Sequence, residues 1–105
     1  PVARGLGEFI DIPEEEMYGE PFDIPTPDEL VYIGWFRGGE VLRGGCVFRR
    51  GAGKLFYFNP GHETYPTYKL PAVRQLLRQA CDYVAPALPL KEKICCPHIE
   101  QFSVR

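Results

Sequence analysis

A mixed α/β domain, with a sheet backed by helix, is the fold class this sequence predicts, and three observations carry the prediction. Residues 30–36, LVYIGWF, are apolar nearly throughout, the pattern of a strand covered on both faces. Two further strand-like runs, 41–50 and 54–59, follow after glycine-bearing turns. Residues 72–85, AVRQLLRQACDYVA, place apolar side chains at 73, 76, 77, 80, 81 and 84, the period of an amphipathic helix.

Taken in order, residues 1–12 read as a turn followed by a short strand from Glu8 to Ile12. Residues 13–20 form an acidic loop. Residues 21–29 hold three prolines, which rules out a helix interior or a central strand. After the 30–36 strand, RGGE at 37–40 is a turn. The strand at 41–50 carries Gly44-Gly45, a potential break, and GAG at 51–53 is a hairpin-like turn. The 54–59 strand is expected inside a mostly parallel sheet. Pro71 suits the first turn of the 72–85 helix, and Pro86 ends it. Residues 87–105 show no period and read as an irregular tail. One helix cannot cover both faces of such a sheet. The chain is therefore expected to leave one face bare, as a piece of a larger α/β domain or a homo-oligomer.

The chain has 105 residues, 45% of them hydrophobic and 25% charged, enough apolar content for one folded domain rather than a disordered segment. A net charge of −2 gives no basis for nucleic-acid binding, which needs clustered positive charge. Residues 8–29 carry carboxylates and no Lys or Arg. No apolar run spans a bilayer, so no membrane partner is expected. The cysteines, Cys46, Cys81, Cys95 and Cys96, lack zinc-ribbon or CxxC spacing. They are expected to be mostly buried thiols in a reducing, cytoplasmic setting. His98 beside Cys95 and Cys96 lacks further ligands at a metal-binding spacing.

The polar stretch NPGHETYP, 59–66, interrupts this pattern. It places His62 and Glu63 where an apolar strand ends. A histidine there suits a general base or, through a neutral imidazole, a ligand of a divalent metal such as zinc. Glu63 is its candidate orienter. Neighbours on a strand point to opposite faces, so the two cooperate only if Pro60-Gly61 turns the chain. Glu16 or Glu20, flanking Met17-Tyr18-Gly19, are candidate pocket carboxylates, with Tyr18 between them. Trp35, Tyr65 and Tyr68 are the aromatics suited to stack on a sugar ring. Each also has an ordinary reading, as loop histidine, solvated acidic face or aromatic core.

Three stretches together resemble one family: EEEMYGEPFDIPTPDELVYIGWFRGGEVLRGGCVF, GKLFYFNPGHETYPTY and AVRQLLRQACDYVAP. They are similar to the C-terminal half of trehalose-utilisation ThuA-like proteins, over residues 1–86, with 87–105 outside the resemblance. It implies the C-terminal part of a flavodoxin-like, class I glutamine amidotransferase-like three-layer domain. In the amidotransferases a His-Pro-Glu after a late strand supplies a base and its orienting carboxylate, and PGHE stands in a similar place. Cys46, inside a strand-like run, is not at a nucleophile elbow, which argues against glutaminase activity. The resemblance implies sugar catabolism, on trehalose or a related keto-glycoside, by proton transfer or metal-assisted chemistry on a carbohydrate. The alternatives are a non-catalytic sugar- or partner-binding module, or an inactive fragment lacking half of its site.

Overall fold

The structure is a computed structural model that describes residues 1–87; the tail predicted from residue 87 onward, with Cys95, Cys96 and His98, otherwise lies outside the described residues. It is a small mixed α/β domain. Strands β1 (Glu29–Trp35), β2 (Val41–Arg50) and β3 (Gly53–Phe58) form one sheet in the order β1-β2-β3. A 3₁₀ turn (Thr67–Lys69) leads into α1 (Pro71–Val84), which packs against β3. Among the described residues no helix is long and apolar enough to cross a membrane.

Both strand pairs are antiparallel, which corrects the expected parallel sheet. The reason is chain length. Only residues 51 and 52 separate β2 from β3, and only 36–40 separate β1 from β2. A parallel crossover needs a dozen or more residues, so these connections permit hairpins alone. Gly51, at φ 55°, supplies the left-handed residue that the tighter turn requires.

Gly44-Gly45 does not break β2. Tyr32 stands opposite Gly45, and a Cβ on Gly45 would lie 3.1 Å from the Tyr32 Cβ. The missing side chain lets β1 approach β2 closely, through two register irregularities around Tyr32. Cys46, Val47 and Leu42 of β2 are fully enclosed.

The helix begins with Pro71 in its first turn, where the absent N–H costs no hydrogen bond. Val73, Leu76 and Ala80 are its buried stripe. Leu76 and Ala80 meet Val2, with Phe56, Phe58, Val31 and Tyr83 packed around them. Cys81, expected among the buried positions, is exposed.

The expected strand at Glu8–Ile12 does not form. Gly5 and Gly7 both sit at φ 74°, which bends the segment away from extended pairing, and Phe9 is exposed. The residues before it dock on α1, where Gln79 Nε2 donates to the Val2 carbonyl at 2.6 Å, and Ile10 packs partly against the same core. The 30–36 run is also not covered on both faces: Leu30, Ile33 and Trp35 are exposed, Trp35 by 81%. Among the described residues β1 has one hydrogen-bonded neighbouring strand, β2.

Candidate functional site

β3 delivers the chain to the site. Asn59 N–H closes the last ladder bond, to the Gly44 carbonyl at 2.9 Å, and Pro60 then ends the strand. Gly61 takes φ 129°, a conformation that glycine alone adopts without strain. A Cβ there would also overlap the ring and hydroxyl of Tyr68, whose Oη donates to the Pro60 carbonyl at 3.0 Å. The loop then closes a turn, with Tyr65 N–H donating to the His62 carbonyl at 3.1 Å. His62 and Glu63 thus leave the strand alternation and reach one cavity.

The cavity measures about 150 Å³ and is lined by Glu16, Tyr18, His62 and Glu63, with Glu15, Asn59 and Gly61 completing its wall. His62 Nε2 lies 3.3 Å from Glu16 Oε1 and 3.3 Å from Glu63 Oε2. Tyr18 donates its hydroxyl to Glu16 Oε2 at 2.7 Å, which raises the Tyr18 pKa and fixes the carboxylate. Phe22 packs edge-on against the Tyr18 ring at 5.4 Å. Among the described residues no Lys or Arg lines the cavity.

The imidazole orientation decides what His62 offers. Its Nδ1 accepts the backbone N–H of Thr64 at 3.1 Å. A backbone N–H is always a donor, so Nδ1 is unprotonated and the neutral ring carries its proton on Nε2. The pocket therefore meets an N–H donor flanked by two carboxylate acceptors. A base or a metal ligand acting through Nε2 would need the other tautomer, which forfeits the Thr64 bond. Zinc, the divalent metal the sequence allows here, does not fit this arrangement. Among the described residues no group of three or more His, Cys, Asp and Glu side chains is disposed to hold a metal ion.

The remaining candidates lie as follows. The Tyr65 ring stands 5.8 Å from the His62 ring, tilted by 50°, at the cavity's flank. Tyr68 supports the loop from beneath through Pro60 and Gly61. Glu20 is not in the cavity: it pairs with Arg43 at 2.7 Å, and that hydrogen bond lowers its pKa. Arg43 also donates to the Ile24 carbonyl, so the pair pins the acidic segment to β2. Trp35 lies outside the cavity, in an open groove along β1 with Phe9 and Ile33 that adjoins it at Glu15 and Asn59. Cys46 is enclosed, its thiol against the Arg43 carbonyl at 3.4 Å, and burial pushes its pKa up, as an inert core thiol requires.

One residue at the site was not singled out in the sequence. Glu15 accepts the Thr67 hydroxyl at 2.6 Å and the backbone N–H groups of Gly61 at 2.8 Å and His62 at 3.3 Å. Burial pushes its pKa up, but these bonds and the Glu16 N–H outweigh that and hold it below the ordinary 4.5. Thr67 is buried, so its hydroxyl marks the one available sequence signal: a polar side chain entering a core position needs a partner. Compared with known proteins, the chain matches no family model and no curated relative.

Proposed function

We propose that the Glu16–Tyr18–His62–Glu63 cavity binds carbohydrate, and that the chain is a ThuA-like protein acting on trehalose or a related keto-glycoside. The single observation that carries the reading is convergence. Two segments distant in sequence, both within the stretches that resemble the family, bring four polar side chains to one cavity. The chemistry suits hydroxyl groups: the carboxylates accept from them, and His62 Nε2–H donates to them. The absence of a lining cation suits a neutral sugar over a phosphorylated one. The volume suits one pyranose edge. In this reading Glu16 or Glu63 takes up a proton from the sugar, and His62 stabilises the oxygen on which charge develops.

On the same reading the antiparallel strands and α1 are the C-terminal part of a flavodoxin-like three-layer domain, cytoplasmic and homo-oligomeric in its full form. A second reading, binding without turnover, is favoured by Glu16 and Glu63 both facing His62 Nε2–H at 3.3 Å, since a carboxylate that already accepts a hydrogen bond is a weaker base. His62→Ala separates the two. Turnover of a keto-disaccharide by the full-length parent should fall by about 10²–10³-fold, with an unchanged thermal midpoint. A wild-type protein that binds the sugar without converting it supports the second reading. A folded, fully active variant overturns the assignment of His62.

A further inference from the structure

The Glu15 carboxylate grips both ends of the loop that carries His62. Upstream it accepts from Gly61 and His62 N–H, and downstream from the Thr67 hydroxyl. Thr64 lies between these anchors, and its N–H meets His62 Nδ1. Gly61 is at φ 129°, a position with no preference of its own for this turn, and Thr64 is exposed. Among the described residues Tyr68 holds the loop at Pro60 and Gly61, upstream of the turn, and Glu15 is the side chain from a distant segment that bonds its backbone. Glu15 itself is next to Glu16, whose N–H also reaches its Oε1 at 2.9 Å. One carboxylate thus joins the loop to the segment that supplies Glu16.

We infer that Glu15 is the positioning residue of this site: by clasping Gly61, His62 and Thr67 it holds Thr64 N–H on His62 Nδ1, and so keeps the ring proton on Nε2, facing Glu16 and Glu63. The inference gives the cavity reading its working part, and rests on that reading for its functional meaning. Glu15 touches no ligand in this scheme. It sets which face of the imidazole the cavity receives. An amide at this position would place an NH₂ group against donors on one side, so Glu15→Gln removes part of the clasp while keeping the shape.

The test is an NMR measurement on uniformly ¹⁵N-labelled protein carrying His98→Gln, which leaves one histidine. A ¹⁵N–¹⁵N coupling transmitted through the hydrogen bond, between the Thr64 amide and His62 Nδ1, reads the contact directly. The wild-type loop should show it, with Nδ1 unprotonated and Nε2 protonated. Glu15→Gln should lose it, whereas Glu20→Gln, which removes a carboxylate bound elsewhere, should retain it. Thr67→Val keeps Glu15 and removes its shortest bond, and should weaken the coupling. It serves if Glu15→Gln does not fold. No coupling in the wild-type loop overturns the inference, as does undiminished coupling in a folded Glu15→Gln or Thr67→Val protein. Sugar binding does not enter the readout, so a failed carbohydrate titration would sink the proposed function while leaving this result standing.

Discussion

Glu14, Glu15 and Glu16 are chemically identical neighbours with three different surroundings. Glu14 is exposed, Glu15 clasps the His62 loop, and Glu16 faces His62 across the cavity. The segment has no helix or strand period, so nothing in the sequence phases its side chains. That is why the sequence does not separate Glu15 from Glu16; the structure brings Glu16, Tyr18, His62 and Glu63 to one cavity and leaves Glu20 outside it. Glu20 finds Arg43, a cation on a different strand, a pairing that only the tertiary structure reveals. The clasp also carries a pH signature. The Glu15 pKa lies below 4.5 in the folded protein, so its stabilising contribution is present above the unfolded pKa and is lost as pH falls through the folded value. The difference in urea stability between wild type and Glu15→Gln should therefore be largest at neutral pH and shrink on acidification below 4.5. Glu20 and Glu29 are lowered too, but they are common to both proteins and cancel in the difference. A pH-independent difference would count against the clasp.

At the scale of elements, hydrophobic pattern and turn chemistry located β1, β2, β3 and α1 within a residue or two. Pairing direction was read wrongly because apolar character reports burial, whereas connection length decides parallel against antiparallel. The two-residue β2–β3 link was visible in the sequence and is the better guide. The loop after β3 was legible as a turn from Asn59-Pro60-Gly61. Its dependence on Tyr68, seven residues on, was not. Gly61→Ala should destabilise the protein by about 1–3 kcal/mol from its backbone conformation, and further through the overlap with Tyr68. Tyr68→Ala in the same chain removes the overlap. In a double-mutant cycle by chemical denaturation, the pair should cost less than the sum of the single changes. Strict additivity would show that the ring does not constrain the glycine.

At the scale of the whole molecule, the described residues leave much apolar surface exposed. Phe9, Ile33, Leu30 and Trp35 are exposed, all four along the groove that follows β1. Contiguous apolar exposure of this kind marks a surface that other matter covers. The sequence anticipated it through arithmetic: a buried-type strand and too little helix to bury it. Among the described residues a mainly apolar groove along β1 adjoins the small polar cavity at the end of β3, the two meeting at Glu15 and Asn59. A sugar ring can stack on Trp35 in the groove or exchange hydrogen bonds with His62 and Glu16 in the cavity, and the proposed site is the cavity. Amide chemical-shift mapping during titration with trehalose and a keto-disaccharide tests that assignment directly. Shifts concentrated at Glu16, Tyr18 and Gly61 to Thr64, abolished by His62→Ala in a folded protein, are the expected result. Shifts confined to Leu30 to Phe36, or none with either sugar, would contradict it.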